Sequence, residues 1–195
     1  MKLITQIVRL GFLTLLLNYT AVSKAQSKFR GQGLAISVTG TSSLHDWEMK
    51  SGKAQCDAII TVGKDKIVVS TFNFSLPVES LKSGHGMMDK NTYKAMDTKK
   101  HPDILFQFST TTSITQSGKD TYTVKGTGKL TIAGTTKLTD MVATLRYDAA
   151  NKTFNCTGTK KLKMSEYGVK PPTAMMGTIK TGDNIAISYN INIKG

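Results

Sequence analysis

The stretch IAISYNINIK, residues 185–194, sets an apolar side chain at every second position, from Ile185 through Ile187, Tyr189 and Ile191 to Ile193. Between them stand Ala, Ser and Asn. A period of two is the mark of a strand with one buried and one wet face. The same rule runs back along the chain. Leu34, Ile36 and Val38 obey it, then Cys56, Ala58, Ile60 and Val62, then Phe72, Phe74, Leu76 and Val78. Ile104, Phe106 and Phe108 follow. Tyr122 to Ile132 makes a longer run that includes Leu130, and Met141, Ala143, Leu145 and Tyr147 come next. Phe154, Cys156 and Gly158 complete the set. The opposite face of each run is rich in Thr, Lys, Ser and Asn. That pattern predicts an antiparallel sheet with one wet face. About eight such strands close readily into a barrel, which removes the exposed edges. The expectation is an all-β chain: a closed antiparallel eight-stranded barrel.

Two segments break the alternation. In residues 83–103, Asp89 is a fitting helix N-cap, Tyr93 and Met96 share a helical face, and Pro102 ends the run. One short helix is expected there, capping the mouth of the barrel. Residues 164–183 carry Pro171-Pro172 and several glycines and read as a long loop. These two segments hold Met87, Met88, Met96, Met164, Met175 and Met176. Methionine is flexible and polarizable and suits an adaptable apolar surface, here the rim of a cavity.

The start of the chain has a different character. Lys2 and Arg9, the apolar run Leu10 to Leu17, and Ser23-Lys24-Ala25 before Gln26 match a secretory signal peptide. Residues 1–25 are therefore expected to be removed on export to the periplasm, leaving residues 26–195 as one domain. The formal net charge is +13. Of the 26 basic residues, Lys2, Arg9 and Lys24 fall within residues 1–25, which hold no acidic residue. An excess of lysine on an exported chain suits transient contact with an anionic membrane surface. A solvated surface explains it equally well. The lysines are dispersed, which argues against nucleic acid.

Chemistry is sparse. His45, His85 and His101 lack metal-ligand spacing, and no phosphate loop, nucleophile elbow or dinucleotide fingerprint occurs. No cofactor, metal site or catalytic constellation is expected. The triplet His45-Asp46-Trp47 reads as a structural corner, with an enzyme using His45 and Asp46 as a weaker alternative. Cys56 and Cys156 share the apolar parity of their strands, and export permits a disulfide between them. A bond and two separate buried thiols both fit. A membrane-spanning barrel would need an apolar outer face with aromatic girdles, whereas the outer face here is polar.

Several pieces, in order, resemble the YceI-like family: SSLHDWE (42–48), FNFSLPVESLKSG (72–84), MDKNTYKAMDTKKHPDILF (88–106), GKLTIAGTTK (128–137) and KMSEYGVKPPTAMMGTIKTGD (163–183). These are exported polyisoprenoid-binding proteins with a lipocalin-like barrel. The resemblance implies a long isoprenoid, a polyprenyl phosphate or a quinone tail, held in an apolar tunnel. A fatty acid or fatty amide is the alternative ligand. Ile36, Phe72, Phe74, Phe106, Phe108, Leu130, Leu145, Tyr189 and Ile191 are expected to line the tail site, with Met88, Tyr93 and Met176 at its mouth. A homodimer is compatible with a chain of this size.

Overall fold

A computed structural model of the protein describes residues 26–64 and 66–195. The expected signal peptide lies outside the described residues. Ten strands form one antiparallel sheet: β1 (Ser27–Ser42), β2 (Trp47–Ser51), β3 (Gln55–Val62), β4 (Ile67–Pro77), β5 (Asp103–Gly118), β6 (Thr121–Ile132), β7 (Thr135–Asp148), β8 (Thr153–Lys163), β9 (Thr173–Ala174) and β10 (Ile179–Lys194). The sheet runs β1-β3-β4-β5-β6-β7-β8-β10, and β10 pairs back onto β1. It is a closed eight-stranded barrel.

The closing ladder sets Leu34 opposite Ile191, Ile36 opposite Tyr189 and Val38 opposite Ile187. A side chain on one strand therefore meets its counterpart of equal parity on the next, and both alternating sets face inward. β2 and β3 share one edge of β1. β2 lies along residues 36–40 and β3 along residues 27–30. Gly52-Lys53-Ala54 divides what would otherwise be a single strand.

Helix α1 (Gly86–Ala95) lies in the long connection from β4 to β5. It begins earlier than the sequence suggests. His85 occupies the N-cap position without a side-chain bond, and Asp89 falls inside the helix. Asp89 instead takes two hydrogen bonds from Ser83, one from the backbone N–H at 2.9 Å and one from Oγ at 2.7 Å. It pins the helix to the chain that leads into it. The segment 164–178 is less irregular than expected, with 3-10 turns at Met164–Tyr167 and Met175–Gly177 on either side of β9.

The far end of the barrel is closed by packing. Phe29 and Phe154 meet edge to face at 5.2 Å, and Tyr147 lies 4.6 Å from Phe154. Phe154 and Ile193 are fully buried. The inward glycines have a definite role. A Cβ at Gly128 would stand 2.3 Å from the Phe106 ring, and one at Gly126 would stand 2.7 Å from that of Phe108. The glycines make room for aromatic rings lying flat along the wall, so the rings do not cross the lumen.

Two ladders stop short. β4 and β5 pair only from Pro77–Asp103 to Asn73–Gln107. β7 and β8 pair only from Asp148–Thr153 to Thr144–Thr157. Beyond Thr144, β7 pairs with β6 alone, and beyond Thr157, β8 pairs with β10 alone.

Gly128→Val should lower the unfolding free energy by about 1–3 kcal/mol through overpacking against Phe106. Gly118→Ala, whose new methyl would meet only Thr121 at 3.7 Å, should stay within about 0.5 kcal/mol of wild type. Urea titration of both variants measures the difference.

Candidate functional site

Inside the barrel are two apolar chambers joined end to end. The lower one, about 150 Å³, lies within the strands, and the upper one, about 360 Å³, lies under α1. Both are lined by Val38, Ile104 and Ile187, which form the waist between them. The upper volume alone is at the lower end of the range of ligand cavities.

The structure sets Ile36, Phe72, Phe74, Phe106 and Phe108 around the lower chamber. Leu130, Leu145, Tyr189 and Ile191 complete the sequence-derived set there. Met88 borders the upper chamber. Tyr93 and Met176 border neither. Tyr93 is a strut: its hydroxyl lies 2.7 Å from the Leu81 carbonyl and 3.0 Å from that of Glu79, and Lys82 Nζ donates to it at 2.8 Å. That bond raises the Lys82 pKa. Met176 is fully exposed, on a backbone of positive φ that turns the loop outward.

The upper chamber is rich in methionine, as the two irregular segments suggested. Met87, Met88, Met96 and Met164 border it, joined by Met49 from β2. Met49 shares a strand parity with Trp47, but a strand of only five residues gives the sequence no means of assigning it to the cavity. Its polar fringe includes His45, His85, Asn91 and Thr92.

The corner before β2 is built on Ser42. Its Oγ accepts the backbone N–H groups of Leu44 and His45 and donates to the His45 carbonyl. The Trp47 indole N–H donates to the Thr41 carbonyl at 3.0 Å, and its ring covers Gly40. His45 Nδ1 lies 2.6 Å from the Asp46 main-chain carbonyl rather than from the Asp46 carboxylate. No His–Asp dyad is formed. Among the described residues, no cluster of three or more potential ligands could hold a metal ion.

Cys56 and Cys156 are free thiols. Burial pushes Cys56 up to about 11 and Cys156 up to about 12, and each thiol is uncharged and unreactive at neutral pH. Cys156 lines the lower chamber. Sequence reasoning missed one lining residue with chemical character, Lys160. It shares the inward parity of Phe154, Cys156 and Leu162 on β8 and, among the described residues, is the only charged one bordering the lower chamber.

A closed barrel with an apolar interior and a helix over its mouth is the frame of a small binding barrel. The chain belongs to the YceI-like family, whose domain it matches over residues 19–193. Among solved structures, it resembles BcnA of Burkholderia cenocepacia at 19% identity, with a TM-score of 0.59 over 82% of this chain and 95% of that one. It also resembles a polyisoprenoid binding domain from Saccharophagus degradans at 7% identity, with a TM-score of 0.63 over 86% of this chain and 98% of that one. At these identities the likeness is one of fold. No curated protein matches the chain. Among the described residues, no helix is long and apolar enough to cross a membrane.

The anchoring of α1 has a pH signature. Burial pushes the Asp89 carboxyl up, but the hydrogen bonds from Ser83, with Lys82 and His85 nearby, hold it below its ordinary value of 3.8. A depressed carboxylate stabilises the fold above its unfolded pKa, and the effect is lost as pH falls through the folded one. Asp89→Asn should therefore speed amide exchange in α1 about fivefold near neutral pH. The difference from wild type should persist at pH 3.8 and fade only as the pH falls further, through the depressed value of the folded carboxyl.

Proposed function

We propose that the protein is a periplasmic carrier or store for a long-chain isoprenoid, a polyprenyl phosphate or a quinone tail, exported by the signal peptide at residues 1–25. The observation that carries this reading is the lining of the lower chamber, apolar all round except for Lys160. Such a wall favours hydrocarbon. Burial yields about 0.8 kcal/mol per methylene, or roughly 3 kcal/mol at most for a five-carbon isoprene unit. A few units offset the roughly 4–15 kcal/mol lost on immobilising a ligand. The tail alone can hold the ligand, and the head group sets orientation. A fatty acid or fatty amide would use the same wall.

The rim supports delivery at a membrane. Leu44 and Met87 border the upper chamber yet are 67% and 71% exposed. Met175 and Met176 project from the loop that supplies Pro172 and Thr173 to the same chamber. An apolar rim on a lysine-rich protein suits transient contact with an anionic bilayer. The protein acts by binding. His45 Nδ1 faces the Asp46 main-chain carbonyl, and its ring borders the upper chamber as part of the polar fringe. A homodimer is compatible with this role.

Organic extraction of gently purified protein, followed by mass analysis, should release a long-chain lipid. Empty barrels in repeated preparations, with no uptake of added polyprenyl phosphate or quinone, would overturn the proposal. Ala143 faces the lower chamber. Ala143→Trp should fill that space and weaken binding of the added lipid about tenfold or more, the equivalent of losing a few buried methylenes.

A further inference from the structure

The unpaired stretch between β7 and β8 is bridged by side chains. Tyr189 donates its hydroxyl to the Val142 carbonyl at 2.9 Å, and Lys160 Nζ donates to the Asp140 carbonyl at 2.9 Å. Gly158 leaves room for the Tyr189 ring, since a Cβ there would stand 2.2 Å from the phenol oxygen. These bonds take the place of the missing ladder, and they differ in kind. A phenol has one hydrogen to give, and Tyr189 has given it. An ammonium has three, and Lys160 has committed one to a neutral acceptor.

Lys160 stands in the wall at the level of the waist, opposite Ile187 in the β8–β10 register. It borders the lower chamber on one side and a polar surface cleft on the other. The cleft also carries Lys161 and Lys163, together with Asp46, Glu48 and Glu166. No carboxylate among the described residues comes within ion-pair distance of Lys160, and Glu48 is engaged by Lys50 at 2.7 Å. A half-buried cation beside an apolar cavity, with two donors that meet no acceptor among the described residues, is complementary to an anion brought by an apolar ligand.

We propose that the gap between β7 and β8 is a side opening of the barrel, and that Lys160 within it binds the carboxylate or phosphate head of an amphiphile whose tail fills the chambers. The inference rests on the lipid-binding reading above and adds the position and charge of the head group. Salt should weaken this contact less than it would a surface pair, because the site is half-buried.

The test pairs each anion with its neutral analogue: palmitate with hexadecanol, and farnesyl phosphate with farnesol. Wild type should bind the anions about tenfold tighter than the alcohols, as one charge-assisted contact allows. Lys160→Met should abolish that preference, and Lys160→Arg should restore it. Lys160→Gln serves the same purpose should the methionine variant fail to fold. A preference confined to farnesyl phosphate assigns the site to phosphates, and one confined to palmitate assigns it to carboxylates. Either supports the proposal. Equal binding of anions and alcohols by wild type, or an undiminished preference in Lys160→Met, overturns it while leaving the barrel a lipid binder. Failure of wild type to bind any of the four overturns the lipid-binding reading itself, and the head-group site with it.

Discussion

The ladder between β1 and β10 is the constraint on which the rest depends. It joins the first strand to the last over most of their length, from Arg30–Lys194 to Ser42–Thr181. Without it, the same alternating strands would form an open sheet with two bare edges and one apolar face turned to water. With it, every inward face looks at another, and the interior becomes a volume with its own composition. Whether that volume is filled or hollow then depends on side-chain size. Phe29, Tyr147 and Phe154 fill the far end. Toward α1, Gly126 and Gly128 let Phe108 and Phe106 lie along the wall, and space remains.

Much of the architecture was legible in the sequence because strand periodicity is local. The eight alternating runs fall on barrel strands, except that Val78 at the end of one lies in the 3-10 turn Val78–Ser80 after β4, and both irregular segments sit over the mouth. Strand ends were less legible. β1 begins at Ser27 and β5 continues to Gly118, past bulges after Phe108, Thr111 and Gln116 that interrupt the period of two. The N-cap expectation failed for a related reason. Asp89 has the right chemistry for capping, but Gly86 already continues the helix, and the carboxylate finds its donors in Ser83 instead.

The candidate site was legible in its walls and obscure in its exceptions. Parity alone gathers Ile36, Phe74, Leu145 and Tyr189 around one chamber. It says nothing of which ladders stop short, because pairing depends on partners distant in the chain. The same parity points Lys160 inward, but only the missing β7–β8 ladder makes an inward lysine intelligible. Tyr93 shows the converse. Its helical position suits a mouth, yet its hydroxyl is drawn to the Glu79 and Leu81 carbonyls of the chain leading into α1.

The aromatic floor has a geometric consequence. A barrel open at both ends lets a polymer thread through it, indifferent to how much protrudes. Phe29 and Phe154 make this one a blind sleeve, so depth becomes a ruler. A hydrocarbon that bottoms out on those rings while carbons remain outside must leave the surplus in water, and its advantage over shorter homologues ends at that contour length.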